Sequence, residues 1–496
     1  MVSYSSEHMI YHPEKLRLID IISVLIFRRI LSSSKFIESH HFNEDKLGNN
    51  VALPNLITIL TLIIQKILGF LYLPFKLLGH VVEFILNLFS LNGGIFKLLL
   101  RIVTGKLVIP NKESAEYRSI LGHIDGRLDL YNKTSFSFHA KCIPNQVRGS
   151  AADNTTNEID PLDLSMMSAK VSYENAAYVK NAVTNHWKMH FVGFYDFWNE
   201  YQKTSSTQAF IYCDAPTNAN LIVVAFRGTE PFNMKDWSTD VDLSWFSMGE
   251  MGRVHLGFMK ALGLQNDRDY IKGWPKTYTG NKVLAYYTIR DQLNKLLEQH
   301  KGARIIVTGH SLGAALATLF PSILILHQED TILKSIYGVY TFGQPRVGDK
   351  DFGVRMKENL NGTFKRYHRV VYRFDVVPRV PFDDRISQFA HFGGCLYFSS
   401  WYKGEVMKKE PNQNYFNPLY IIPKYFNAWV DLFRGIFAGV KLGKDFKESL
   451  MSILFRMVGL LIPGLASHSP RDTVNSVRLA KITTTANEDE EELVFV

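Results

Sequence analysis

A single serine stands at the centre of the stretch RIIVTGHSLGAALATLF, residues 304–320. The β-branched residues before it predict a buried strand, and the small apolar residues after it predict a helix. A strand that passes directly into a helix needs a sharp turn. Gly309 and Gly313 permit it, because neither has a side chain to collide where the two elements cross. Such a turn exposes Ser311 at its apex, which is the pattern of a nucleophile elbow that presents a serine to a carbonyl carbon.

A serine hydroxyl attacks efficiently when an imidazole takes its proton and a carboxylate orients that imidazole. Around such an elbow, the acid follows a sheet strand at its carboxyl end. Residues 368–374 predict a strand, and Asp375 comes directly after it, so we predict Asp375 as the acid. Asp383 and Asp384 lie farther along, beyond two prolines, and we interpret them as a solvated turn.

Two histidines follow the predicted acid, His391 and His468. Residues 391–399, HFGGCLYFS, predict a strand, which places His391 at its amino end, on the wrong side of the sheet. His468 comes later, directly before an amphipathic helical pattern. We therefore predict His468 as the general base and a structural role for His391.

An ester-cleaving serine also needs hydrogen-bond donors for the oxyanion that forms on the substrate. A predicted strand within residues 219–233 ends at FRGT, where the backbone and hydroxyl of Thr229 could join the N–H of Leu312 in an oxyanion hole. The alternative is a plain strand end with a glycine turn. Residues 231–248, rich in Trp and Phe, predict a movable lid, or alternatively ordinary core.

The elements that position these residues alternate between strand and helix from about residue 166 onward, the pattern of an α/β domain. Six stretches occur in order there: VVAFRGT, HLGF, VTGHSLGAALA, YTFGQPRVG, RFDVVPRVPFD and HSPRDTVNSVRL. As a set they resemble the class 3 lipases, and among these the plant oil-body triacylglycerol lipases. The resemblance implies an α/β-hydrolase fold with a mostly parallel sheet, hydrolysis of acylglycerol esters by Ser311, Asp375 and His468, and no metal or other cofactor. Ala314 stands where many relatives have a third glycine.

The whole chain divides by composition into five predicted regions. They are an irregular segment 1–50, an apolar lipid-associating helical region 51–109, a polar connection 110–165, the catalytic domain 166–481 with an apolar insert about 400–465, and an acidic tail 482–496.

The chain has a net charge of +9. Five acids lie within the tail, so the rest of the chain is even more basic. Such an excess suits nucleic acid or an anionic lipid surface. We find no nucleic-acid-binding motif, so we expect no nucleic-acid partner, and the long apolar segments favour lipid. Three widely spaced cysteines form neither a disulfide framework nor a metal cluster, which favours the cytosol.

The apolar region begins with a stretch, residues 51–75, in which Lys66 is the single charge and prolines and a glycine predict interruptions. A spanning helix would place Lys66 near the bilayer centre, at a cost of roughly 2.5 to 3.5 kcal/mol. After Pro74, polar residues recur every three, four or seven positions, along one helical stripe: Lys76, His80, Glu83, Asn87, Ser90, Lys97 and Arg101. The pattern predicts a helix lying in a lipid interface, with a break at Gly93–Gly94. The alternative is a core helix with a solvent stripe.

Together these features predict a triacylglycerol lipase at the lipid-droplet surface, facing the cytosol, with acylglycerol as substrate. One alternative is a phospholipase A1 or galactolipase of the same family, and another is a catalytically silent scaffold. Plastid-targeted relatives should begin with a Ser-rich, Arg-rich segment poor in acids, whereas residues 1–50 contain six acids. The oligomeric state and the acyl-chain preference stay open.

Overall fold

The computed structural model describes residues 7–27, 36–40, 56–130, 160–264, 274–360, 366–382, 388–480 and 482–483. The strands, in chain order, are β1 His8–Tyr11, β2 Ile37–His40, β3 His190–Asn199, β4 Thr204–Cys213, β5 Leu221–Phe226, β6 Trp245–Ser247, β7 Arg253–His255, β8 Arg304–His310, β9 Ile336–Phe342, β10 Tyr367–Tyr372, β11 Cys395–Phe398, β12 Gly404–Met407 and β13 Ile482–Thr483.

The helices that matter for the site are spread along the whole chain. In chain order they are α1 Leu18–Phe27, α2 Leu56–Leu91, α3 Ile95–Val103, α4 Ile120–Ile124, α5 Pro161–Val171, α6 Ala176–Asn181, α7 Met234–Val241, α8 Leu256–Ala261, α9 Ala285–Gln299, α10 Leu312–Leu326, α11 Asp330–Ser335, α12 Lys350–Leu360, α13 Ile421–Lys441, α14 Leu450–Leu461 and α15 Pro470–Leu479.

A nine-stranded sheet forms the centre, in the order β13-β12-β11-β10-β9-β8-β5-β4-β3. Its five middle strands, in the spatial order β11-β10-β9-β8-β5, are parallel. The strands on either side of them include antiparallel pairs. Helices α8 to α12 pack on one face, and α5, α6 and α15 pack on the other. Because parallel strands are covered on both faces, they are buried and rich in β-branched residues. The predicted α/β fold with a mostly parallel sheet is confirmed.

The N-terminal residues differ from the irregular segment that composition predicts. Strand β1 pairs with β2 and with β6 in a second, four-stranded sheet of order β2-β1-β6-β7. Trp245 of β6 is fully buried there, and residues 239–248 are all buried. The second half of the predicted lid is therefore core, as the alternative interpretation held, and α7 forms most of the first half.

Helix α2 runs without interruption through Pro74, so the predicted break at this proline is wrong. A proline inside a helix removes one backbone hydrogen bond, which a long, well-packed helix tolerates. The break at Gly93–Gly94 is confirmed, since α2 ends at Leu91 and α3 begins at Ile95. Lys66 is exposed, and its ammonium group donates to the carbonyl of Leu16 at 2.7 Å.

One side of α2 contacts the protein through apolar and polar residues alike, whereas Lys66, Lys76, His80 and Ser90 are exposed. Gln65 donates to the Ser238 carbonyl at 3.2 Å, and Asn87 donates to the Arg118 carbonyl at 2.8 Å. Exposed apolar side chains on the opposite side are Phe70, Leu73, Leu77, Leu78, Val81, Phe84 and Ile85. Because these large apolar side chains are exposed, α2 is not a buried core helix.

Candidate active site

Ser311 lies at the turn between β8 and α10, with φ of 60° and ψ of −133°. This backbone conformation is rare for any residue except glycine and costs of order 1–3 kcal/mol. Close contacts of the backbone hold it. A Cβ on Gly309 would lie 2.2 Å from the Gly313 carbonyl oxygen, and one on Gly313 would lie 2.3 Å from the Phe226 carbonyl oxygen. The predicted role of these two glycines agrees with this geometry.

The predicted acid and base meet at the same edge of the sheet. Asp375 follows β10, and His468 lies between α14 and α15. His468 Nδ1 is 2.9 Å from Asp375 Oδ2, and the Val377 N–H donates to Asp375 Oδ1 at 2.9 Å. Both side chains are buried. The backbone therefore fixes the carboxylate, and the carboxylate fixes the tautomer of the imidazole, with Nε2 free to accept a proton.

The loop after β9 brings Ser311 next to this pair. The Ser311 N–H donates to the Phe342 carbonyl at 3.0 Å. A Cβ on the following residue, Gly343, would lie 2.8 Å from both Asp375 Oδ2 and His468 Cε1. Within the described residues, Ser311 Oγ and His468 Nε2 are buried atoms without a hydrogen-bond partner. In free enzymes such a contact is often long and shortens when substrate binds.

A second imidazole supports His468. The ring of His310 stacks on that of His468 with 4.4 Å between centroids, and His310 Nδ1 lies 2.8 Å from the hydroxyl of Tyr173. Burial lowers the pKa of His310 well below its usual value, so its ring is neutral. It therefore adds no positive charge to oppose an imidazolium at His468. Sequence reasoning assigned neither His310 nor Tyr173 a role. The local signal was the histidine directly before the serine.

Thr229 follows β5 on the other side of the serine. Its Oγ1 lies 2.7 Å from Oδ2 of Asp240, a fully buried carboxyl on α7. Leu312 is the first residue of α10, where a backbone N–H has no acceptor within the helix. These are the two donors predicted for the oxyanion hole. The sequence does not indicate the contact of Asp240 with the Thr229 hydroxyl, because this contact joins a loop to a helix eleven residues later.

Asp240 controls the direction of the Thr229 hydroxyl. Burial raises the pKa of the Asp240 carboxyl well above its usual range. A protonated Asp240 donates to Thr229 Oγ1, which leaves the threonine hydrogen free to point at an oxyanion. An ionised Asp240 can only accept, and it then takes that hydrogen.

His391 makes contacts that fit a structural role. Its Nε2 lies 2.7 Å from the Pro378 carbonyl oxygen and 3.7 Å from Glu410 Oε1. Burial lowers the pKa of His391 to about 3, so the ring is neutral. Asp383 and Asp384, interpreted above as a solvated turn, lie outside the described residues, as does most of the acidic tail.

Comparison with known proteins decides the family. Residues 223–385 match the family model for lipase (class 3), which includes Ser311 and Asp375 but ends before His468. The triacylglycerol lipase OBL1 of Arabidopsis thaliana is 40% identical, over 96% of this chain and 95% of its own. That of Ricinus communis is 36% identical, over the same shares of the two chains. The chain belongs to the class 3 lipases.

The resemblance predicted from the six ordered stretches is thus confirmed. The phospholipase A1-II 1 of Oryza sativa subsp. indica is 31% identical to this class 3 lipase, but over 32% of the present chain and 39% of its own. The similarity to phospholipases is therefore partial, whereas the similarity to the triacylglycerol lipases extends over the N-terminal helices and the insert.

We expect Thr229→Val to lower kcat by about 10² to 10³, the usual loss when one oxyanion donor is removed. Valine keeps the shape of threonine and deletes the hydroxyl. Steady-state hydrolysis of a soluble short-chain ester measures the effect. Unchanged turnover in this variant would leave Thr229 with its backbone N–H alone.

Asp240→Asn is the matched control, because the asparagine amide still donates to Thr229. It should retain far more activity than Asp240→Ala. In the wild-type lipase, activity that needs protonated Asp240 is present at lower pH and is lost as the pH rises through the raised pKa. The asparagine variant should lack this alkaline loss in its pH profile.

Proposed function

We propose that this class 3 lipase hydrolyses the carboxylic esters of triacylglycerols at a lipid-droplet surface, facing the cytosol. The observation that carries the proposal is the buried His468–Asp375 pair beside the strained turn of Ser311, 2.9 Å between Nδ1 and Oδ2. Nearly full-length similarity to triacylglycerol lipases supports the choice of substrate.

In the first half-reaction, Ser311 Oγ attacks the ester carbonyl carbon as His468 Nε2 takes the hydroxyl proton. The carbonyl oxygen becomes an oxyanion, which the N–H of Leu312 and the Thr229 donors stabilise. Asp375 accepts from Nδ1–H and stabilises the imidazolium. The imidazolium then gives its proton to the leaving glyceride oxygen, and an acyl-serine ester remains.

In the second half-reaction, a water molecule attacks the acyl-serine. His468 takes a proton from this water, the same donors hold the second oxyanion, and the proton returns to Ser311 Oγ as the fatty acid leaves. Each step uses groups of the protein together with water and the ester.

The polarity of α2 supports the location. By length and composition it could cross a bilayer, with a mean hydropathy of 2.1 in its most apolar part. Three of its polar residues, however, are bonded to other parts of the protein: Gln65 to the Ser238 carbonyl, Asn87 to the Arg118 carbonyl and Lys66 to the Leu16 carbonyl. A helix with one face on a protein and the other apolar suits a position in the interface, where a monolayer covers oil.

Helix α2 also belongs to the catalytic domain. It packs on α7, the helix that carries Asp240. Near Asp375, Val376 and Val377 pack in the same cluster as Ile64 and Leu68 of α2. A lipid surface that holds α2 therefore lies close to the segment that follows the proposed acid.

Purified protein should hydrolyse emulsified triacylglycerol faster than phospholipid or galactolipid presented at the same interfacial area. Fatty-acid release measures all three, and Ser311→Ala supplies the background. Faster hydrolysis of phospholipid or galactolipid would support the alternative lipase activities. Rates equal to the background on all three would support a silent scaffold.

A further inference from the structure

Helices α13 and α14, which form about half of the predicted insert, bury charged side chains and expose large apolar ones. Half of the α13 residues that are buried are polar: Lys424, Asn427, Asp431 and Arg434. Those that face outward are apolar: Ile422, Phe426, Trp429, Phe433, Phe437 and Val440. Helix α14 repeats this arrangement, with Ser452 and Arg456 inward and Leu450, Leu454, Met457 and Leu461 outward.

The two inward arginines are buried and paired with buried carboxylates. Arg434 Nη2 donates to Asp472 Oδ1 at 2.8 Å, and Arg456 Nη2 donates to Glu448 Oε1 at 2.7 Å. Arg456 also donates to Asp472, at 2.8 and 2.9 Å. Charges taken from water cost several kcal/mol each before pairing. Helices that bury charges and expose phenylalanine are typical of proteins whose outer surroundings are hydrocarbon.

The exposed fractions are too large for incidental surface residues. Phe426 is 69% exposed, Val440 87% and Leu461 78%. Soluble monomers rarely expose contiguous apolar patches beyond a few hundred Å². Helices α13 and α14 pack on each other, and their outer apolar faces are here named the insert face.

The insert face lies beside the lipid-facing side of α2. Met451 and Phe455 of α14 pack on α4, and Val82 of α2 packs on the same cluster. Tyr415 and Ile64 of α2 pack on the same cluster, and the Tyr415 hydroxyl donates to the Pro463 carbonyl, just after α14, at 2.8 Å. One lipid surface could therefore contact both.

The connection between α13 and α14 is basic. Lys441, Lys444 and Lys447 are exposed there, with Asp445 as an exposed acid between them. Each lysine near an anionic membrane surface adds electrostatic attraction. This charge favours a phospholipid monolayer with anionic head groups as the occupant of the insert face.

We propose that the α13–α14 pair is a second lipid-inserting element, whose insert face enters the acyl-chain region of a phospholipid monolayer while its lysines contact anionic head groups. This proposal rests on the proposed function, since it names the second surface by which the same lipase reaches its substrate. A second copy of the chain is the rival occupant.

The insert face is tied to both partners of Ser311. Arg434 Nη1 donates to the hydroxyl of Tyr372, the last residue of β10 before the turn to Asp375, at 2.7 Å. Its Nη2 bonds Asp472, four residues after His468. A monolayer that holds α13 therefore holds the acid and the base in a fixed orientation to the lipid.

The test replaces Phe426, Phe433 and Phe437 together by serine, with the three Phe→Leu changes as the matched control. Flotation with artificial oil droplets, coated with phosphatidylcholine alone or with added phosphatidylserine, measures binding. Each lost phenylalanine should weaken binding roughly tenfold, from the apolar area removed from the monolayer. The leucine control should bind as the wild type does.

Hydrolysis of a soluble short-chain ester should be unchanged in both variants, and this activity also reports that they are folded. If the triple serine variant is unstable, Phe426→Ser alone replaces it.

A second variant replaces the three lysines together: Lys441→Glu, Lys444→Glu and Lys447→Glu. It should bind the phosphatidylserine droplets more weakly and bind the neutral droplets nearly as the wild type does. Wild-type droplet binding by the folded serine variant would overturn the proposal. So would a changed oligomeric state with unchanged droplet binding, which would assign the insert face to a second copy. If the wild type binds droplets through this face but releases no fatty acid, the proposed function fails and the second lipid-inserting element stands.

Discussion

Replacing Ser311 with alanine is expected to lower kcat by up to about 10⁶-fold, the loss seen when a triad serine is removed. The residual rate would come from substrate binding and the oxyanion donors, which the change leaves in place. Turnover of a soluble ester measures the chemistry without the complication of lipid binding. Thermal unfolding should show an intact fold, because one buried oxygen without a hydrogen-bond partner in the described structure is removed.

Ser322→Ala provides a matched control on the same helix. Its hydroxyl is also buried, and it donates to the Leu319 carbonyl at 2.6 Å, away from the acid and base. This variant should lose about 1 kcal/mol of stability and keep near wild-type turnover. Substantial hydrolysis by a well-folded Ser311→Ala protein would exclude Ser311 as the nucleophile.

His468→Ala is expected to cost about as much as loss of the serine, and Asp375→Ala about 10⁴-fold in kcat. Without His468 nothing takes the serine proton, and without Asp375 the imidazole loses the acceptor that fixes its tautomer. Both effects belong in kcat, since neither residue is proposed to bind the glyceride in its ground state. Single-turnover kinetics would separate acylation from release of the acid.

His391→Ala is the control for the histidine. It loses the contact with the Pro378 carbonyl and should lower the melting temperature more than the turnover. A folded but inactive His391→Ala protein beside an active His468→Ala protein would reverse the assignment of the two histidines.

The elbow could be predicted because its causes are local. The β-branched strand, Gly309, Gly313 and the small-residue helix are adjacent in sequence, and the clashes that exclude other residues involve neighbouring backbone. The acid was found by a general rule, that functional residues follow parallel strands at their carboxyl ends. His468 followed from its place before a helix.

The supporting contacts could not be predicted, because they join distant parts of the chain. Tyr173 reaches His310 across 137 positions, and the backbone of Tyr11 reaches Ser244 across 233. Nothing near either residue in sequence indicates its partner. The sequence therefore does not distinguish lid from core in the second half of the lid segment, whereas the pairing of β1 with β6 places it in the core.

Helix α2 shows a different limit. Periodicity finds a stripe of polar residues, but it does not tell whether water or protein lies on that side. In the structure Asn87 of this stripe contacts the Arg118 carbonyl, whereas Lys76 and His80 are exposed. Likewise, the cost of Pro74 depends on the packing around the helix, which local sequence does not contain.

The docking of α2 on α7 also sets an order for biosynthesis. Helix α2 ends at Leu91 and α7 begins at Met234, so about 140 residues separate the two partners. At about 5–20 residues per second, the ribosome finishes α2 roughly 7 to 30 seconds before α7 exists. During that interval α2 has no folded domain to pack against, and its leucines and phenylalanines are unfavourably exposed to water. A nascent chain that meets lipid or a chaperone at this stage is protected from aggregation, and with the proposed function the lipid would be the surface on which the enzyme later acts.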